Sequence, residues 1–242
     1  MVVVDNPVVP ARQRMGRPPR HSFQPFIFSH DQIAAILAKA RQIPSDWRFP
    51  LRGPVCYTML VLFYGLGLRH GEACRLRLRE LDWTRQALFI SETKFHKSRY
   101  VPFGPKVSSC LRQFVEVRRT VLPPLCQDDP LFVTRWRKPI GQNAVMGVFR
   151  AILHELGITG VGEQRGPRLH DLRHTFAVHR LLRWYREGLD VQSRLPALAT
   201  FMGHIEPIST EVYLTATNEL LQEANDRFYR NFGCLFDEEV SR

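Results

Sequence analysis

The side chains of this 242-residue chain that could handle an anion or a proton fall in five short clusters. Gly65-Leu66-Gly67-Leu68-Arg69-His70-Gly71-Glu72 sets a cation after a glycine turn and a carboxylate three residues on. Lys94 and Lys97 lie between two strand-like runs, and Arg99 opens the second run. In His170-Asp171-Leu172-Arg173-His174, His170 and Arg173 stand i, i+3 and share a helix face. Gly203-His204 closes a helical run, and Tyr213 stands nine residues beyond it. Taken singly, each cluster has a plain reading. Arg69 fits a surface charge, the lysines fit a solvated hairpin, and Gly203-His204 fits a helix C-cap. His170 and His174, i, i+4, fit either an exposed first turn or part of a metal site, and Tyr213 fits a half-buried tyrosine. Taken together, they offer forked and point cations for an oxyanion and a phenol with a reference pKa near 10.

The order narrows the choice. Gly-Leu-Arg-x-x-Glu is followed by Lys-x-x-Lys-x-Arg-x-Val-Pro from Lys94 to Pro102, His-Asp-Leu-Arg-His with Thr-Phe-Ala, Met-Gly-His, and Ile-Ser-Thr-x-x-Tyr. This series resembles the catalytic domain of tyrosine recombinases, the phage-integrase and Xer family, over roughly Ser29 to Arg230. The resemblance implies a catalytic set of Arg69, Lys94, His170, Arg173, His204 and the nucleophile Tyr213. Glu72 matches an acidic position that supports the site. No cofactor and no metal are implied.

Physical chemistry agrees with those roles. Cleaving a DNA phosphodiester builds negative charge on a phosphorane-like transition state, and arginine forks hold its non-bridging oxygens. One cation aimed at developing charge in a dry site is worth several kcal/mol. Neighbouring cations favour the phenolate of Tyr213, with His170 as proton acceptor. Lys94 would protonate the leaving 5′-oxygen, a contribution of ~10²–10⁴-fold. A zinc site on His170 and His174 lacks a His-Glu-x-x-His partner, and Arg173 would crowd the ion.

Composition fits this chemistry. Lys and Arg total 34 against 23 Asp and Glu, a formal net charge of +11, which suits a polyanionic partner. Hydrophobic residues are 44% of the chain, which excludes disorder throughout and a disulfide-scaffolded miniprotein. Cys56, Cys74, Cys110, Cys126 and Cys234 form no C-x-x-C pair, as expected in a reducing cytosol. The N-terminus carries no signal-peptide pattern, and the apolar run Gly53 to Leu68 is shorter than the ~20 residues of a membrane span. It reads as a buried core helix.

These elements must position the clusters. Residues 1–28, with five prolines and four arginines, read as a basic arm, and Arg12, Arg14, Arg17 and Arg20 are expected on DNA together with Lys97 and Arg99. Arg14-Met15-Gly16-Arg17-Pro18 partly matches a minor-groove hook, and a solvated linker is the other reading. Residues 29–216 are the expected catalytic domain, and 217–242 a C-terminal helix with an acidic tail. Ser29-His30-Asp31-Gln32 is a capping box opening a first helix. Helices are expected at 54–65, 69–78, 105–120, 142–156, 170–187, 193–202, 207–214 and 217–230. Strands are expected at 87–91 and 99–102. The fold class is mostly α with a small antiparallel sheet (α+β).

The resemblance further implies double-stranded DNA as partner, no membrane, and a homo-oligomer acting as a tetrameric synapse. Relatives carry a core-binding domain ahead of the catalytic one. Here about 28 residues precede Ser29, so the chain is a fragment, or suffices alone, or works with partner recombinases that supply the missing half. His170 and His204 lie 34 residues apart, longer than the family's usual interval, with the excess in Arg183–Gly188. Such insertions suit recombinases of mobile elements, hence integration or transposition. A bacterial-type cytosol, nucleoid-associated, is the expected place. Two other readings are a DNA-binding accessory protein without turnover and a type IB topoisomerase-like relaxing enzyme.

Overall fold

Ser29 starts the first helix as its sequence dictates. Its hydroxyl accepts from the Gln32 N–H at 3.1 Å and its own N–H donates to Gln32 Oε1 at 2.9 Å, opening α1 (His30–Arg41). The structure, a computed structural model, describes residues 25–91, 98–123, 126–160 and 166–203, with Gln222, Glu223, Asn225 and Asp226. Ile33, Ile36 and Ala40 of α1 face inward onto α2 (Arg52–Leu66). That second helix buries Val55, Leu60, Leu62, Phe63 and Leu66, and packs against five other helices. A helix apolar on nearly every side belongs in the middle of a core.

Gly67 ends α2 in the left-handed region at φ 60°, and a Cβ there would stand 2.6 Å from Phe176 Cδ1. Backbone shape and close approach both require glycine. The chain then reverses into α3 (His70–Arg75), much shorter than the 69–78 expected, and a 3₁₀ turn at Leu78–Glu80. The sheet follows as β1 (Leu81–Asp82), β2 (Ala87–Ile90) and β3 (Arg99–Pro102), antiparallel in that order. Leu88 pairs with Val101, both fully buried, while Phe89 and Tyr100 pair beside them with ring centroids 5.1 Å apart. The two-residue β1 carried no periodic signal in the sequence.

Helices α4 (Pro105–Val121) and α5 (Gln142–Glu155) close the larger core. Helices α6 (Asp171–Arg186) and α7 (Val191–Met202) form a smaller one around Ala177, Leu181, Leu195 and Met202. Phe201 packs on both. The sequence segment Arg183–Gly188 extends α6 and ends in a left-handed Gly188 at φ 70°. Packed chain begins ahead of Ser29: Phe28 is fully buried, its ring 6.1 Å from Phe149, and its N–H donates to Thr175 Oγ1 at 3.1 Å. The 28/29 boundary of the arm therefore cuts through packed chain. Of the two last expected helices, 207–214 lies outside the described residues. Within 217–230 only Gln222, Glu223, Asn225 and Asp226 are described, and they are helical.

Candidate active site

Three arginines from three elements meet at the C-terminal end of α7. Arg99 Nε donates to the Phe201 carbonyl at 2.9 Å, Arg173 Nη2 to the Met202 carbonyl at 2.7 Å, and Arg69 Nη2 to the Gly203 carbonyl at 2.7 Å. Helix ends leave such carbonyls without partners, and the negative end of the helix dipole favours cations. Arg173 also donates through Nη1 to the Gly67 carbonyl, so one guanidinium ties the ends of α2 and α7 together. It is 2% exposed. Gly203 is left-handed at φ 71°, and a Cβ on it would stand 2.6 Å from Arg99 Nη1.

Glu72 is the hub. Its Oε1 accepts from Arg69 Nη1 at 2.9 Å and Arg99 Nη1 at 3.0 Å, and its Oε2 from the Arg69 N–H at 2.9 Å and Arg99 Nη2 at 3.0 Å. Those four bonds fill a carboxylate's acceptor capacity. Burial raises the Glu72 pKa, but the bonds and charge of Arg99, then those of Arg69, outweigh it and hold the group at about 2. Arg69 is the open member, with 30% of its side chain exposed. Two of its five N–H donors serve Glu72 and Gly203, leaving three for a ligand.

His170 stands at the mouth of α6, exposed, with its ring 4.7 Å from that of His174, edge to face. Desolvation of the ring, then the charge of Arg173 with help from Arg168 and Arg69, lowers its pKa to about 4 against the pull of Asp171. The imidazole is thus neutral at pH 7 and able to accept a proton. Asp171 fixes the turn beneath it. Its buried carboxylate accepts the Arg168 N–H at 2.7 Å and Arg168 Nη2 at 3.2 Å. No group of three or more His, Cys, Asp or Glu gathers as a metal site among the described residues.

Of the residues marked by the sequence, Arg69, Glu72, Arg99, His170 and Arg173 come together here. Lys94, Lys97, His204, Tyr213, Arg12, Arg14, Arg17 and Arg20 lie outside the described residues. Arg99 departs from expectation. It was expected on DNA, yet its side chain is 9% exposed and committed to Glu72 and Phe201. The missed signal was period-two alternation: Arg99 shares the inward face with Val101, and Tyr100 takes the outward one. The carbonyls of residues 201–203 had no signal at all, since every main chain carries them.

An arrangement of one open and one buried arginine beside a neutral imidazole, sealed beneath by a carboxylate, can receive a tetrahedral or trigonal-bipyramidal oxyanion. Residues 27–219 match the family model described as the phage integrase family. The chain is 34% identical over 210 residues to y4rB of Sinorhizobium fredii, an integrase/recombinase by name, covering 86% of this chain and 67% of that one. It is 29% identical over 192 residues to tyrosine recombinase XerC of Thermodesulfovibrio yellowstonii, covering 78% and 58%. The Tn1549 transposon integrase, solved with a circular intermediate DNA, superposes with a TM-score of 0.63 at 18% identity over 87% of this chain and 68% of that one. The chain thus spans 67% and 58% of the length of the two relatives, y4rB and XerC.

Proposed function

The chain belongs to the phage integrase family and carries the catalytic fold of a tyrosine recombinase, and from that premise we propose that it cleaves and rejoins duplex DNA through a 3′-phosphotyrosyl link. One observation carries the reading most: Arg69 keeps three free donors over a site that Glu72 and the end of α7 lock in place. In this reading, Arg69 and Arg173 hold the non-bridging oxygens of the scissile phosphate. For Arg173, 2% exposed, this takes a small opening of the seam. The Tyr213 oxygen attacks phosphorus while its proton passes toward His170. The bond from phosphorus to the 5′-oxygen breaks, and Lys94 gives that oxygen a proton. His204, the residue after Gly203 in sequence, adds a donor to the phosphate. Attack by another strand's 5′-hydroxyl reverses each step and reseals the DNA.

The partner is duplex DNA, gripped by the basic arm residues Arg12, Arg14, Arg17 and Arg20 and by Lys97. Assembly as a homo-oligomeric synapse, with a core-binding half supplied from elsewhere in the assembly, would complete the DNA clamp. The length of α6 and its following turn supports a mobile-element role, in integration or transposition. Among the described residues no helix is long and apolar enough to cross a membrane. As a DNA-acting enzyme it would work at the nucleoid of a bacterial cytosol. The test uses nicked suicide duplexes tiled over the DNA that flanks the coding region. A covalent protein–DNA adduct on denaturing gels, formed in EDTA and absent from Tyr213→Phe, is the expected result. Strict need for added divalent metal, or an undiminished adduct in the Phe variant, overturns the mechanism.

A further inference from the structure

Around Glu72, two guanidinium charges meet one carboxylate, so the trio keeps one positive charge in excess. Geometry decides where that charge sits. Arg99 and Glu72 form a fork-to-fork pair with both bonds at 3.0 Å, and their side chains are 9% and 2% exposed. Arg69 gives Glu72 one side-chain bond and is 30% exposed. A bidentate pair sealed from water attracts far more strongly than a single contact open to it. The sealed pair is the neutral unit, and Arg69 keeps its charge.

We infer that Arg99 is a positioning residue whose guanidinium neutralises Glu72, so that the charge of Arg69 remains uncompensated and faces the scissile phosphate. The inference rests on the recombinase reading above. Without Arg99, the carboxylate would take Arg69 as its sole cation, drawing its fork inward and cancelling its charge where the phosphate must bind. Arg99 reaches this place because β3 turns it inward with Val101, and its Nε bond to Phe201 holds the plane of the fork against the end of α7. Gly203 leaves the room it occupies. Glu72, with all its acceptor sites filled, then orients Arg69 without repelling DNA as a free carboxylate would.

Charge balance makes this separable from a merely structural role. Arg99→Gln keeps hydrogen-bonding atoms and loses the charge, and its cleavage rate should fall about 10²-fold. Non-covalent DNA affinity should hold within about twofold, a loss in the chemical step alone. Arg99→Lys, charged but unforked, should stay within about tenfold of the parent. The decisive chain is Glu72→Gln/Arg99→Gln, in which both buried charges are gone and Arg69 regains its surplus. It should cleave about tenfold faster than Arg99→Gln alone. This chain buries no unpaired charge, so it reports even where the single variant does not fold, and then its rate should lie within about tenfold of the parent. Cleavage by Arg99→Gln at the parental rate, or a double variant no faster than the single one, overturns the inference. With the single variant unfolded, a double variant at the background of Tyr213→Phe overturns it. The parent and Tyr213→Phe run beside these on the same tiled duplexes. A parent without a Tyr213-dependent adduct brings down the recombinase reading itself, whereas a normal parental adduct with indifferent Arg99 variants brings down only the role of Arg99.

Discussion

Inside the larger core, α2 meets α1, α4 and α6 through side chains such as Val55, Leu60, Leu62 and Phe63 that bring no hydrogen-bonding group. At the end of α7, guanidinium groups from Arg69, Arg99 and Arg173 donate to main-chain oxygens, beside the stacked rings of Phe176 and Phe201. Dispersion and burial are nondirectional and fix elements to within the slack of a packed interior. Hydrogen bonds from a planar fork fix atoms. The fold is therefore held mainly by one region, and the geometry of the candidate site by the other.

The strongest way to break this division is to cut the joint. Arg173→Ala removes the proposed phosphate ligand and strands the Gly67 and Met202 carbonyls. Cleavage should fall by about 10²–10³-fold or more, with about 1–3 kcal/mol of stability lost for each buried carbonyl left unpaired. Single-turnover cleavage and urea unfolding read the two losses separately. Next comes the converse. Leu62→Ala, fully buried in α2, should cost about 2–5 kcal/mol of stability while the cleavage rate per folded molecule stays parental. A rate that fell in step with stability would show the two regions to be one.

Gly203→Ala sharpens the comparison, since it alters no bond donor. A left-handed alanine costs about 1–2 kcal/mol, and its Cβ would collide with Arg99, so cleavage should drop by about tenfold with modest loss of melting temperature. Acidity probes the imidazole. Because the His170 pKa sits at about 4, cleavage should stay level as pH falls through 6.5 and decline only near that value. The unfolded chain takes the same proton near 6.5, so stability also falls on acidification between 6.5 and 4, and rises with pH across that window. A rate limb near 6.5 would mean that His170 takes its proton as an ordinary imidazole does. The smallest effect concerns reach. Deleting residues 1–24 removes Arg12, Arg14, Arg17, Arg20 and Asp5. The slope of log K against log salt should become shallower by up to about three units, read by titration at several salt concentrations.

Much of this was legible in sequence because it is local. The capping box of Ser29 and Gln32, the continuous apolar run of α2 and the His170–Arg173 pair each sit within a few residues. Family wording added the order of the clusters. What stayed hidden joins residues far apart: Arg99 to Phe201, Arg69 to Gly203, Arg173 to Gly67. Each ends on a main-chain oxygen, and carbonyls have no signature in one-letter code. Arg99 was misassigned to DNA because a basic hairpin suggested solvent, although the alternation with Tyr100 and Val101 already turned it inward. Phe26 and Phe28 were given to the arm because proline and arginine dominate the composition around them.

The link between Phe28 and Thr175 carries a mechanical consequence. The Thr175 hydroxyl accepts from the Phe28 N–H at 3.1 Å and donates to the Asp171 carbonyl at 2.8 Å, in the first turn of α6. Phe28 itself is fully buried, its ring edge-on to Phe149. Tension on the chain ahead of Pro25 is therefore delivered to the turn that presents His170 and Arg173, through two hydrogen bonds in series. A load on the N-terminal side is shared between the larger core, which holds Phe28, and the turn that carries His170 and Arg173.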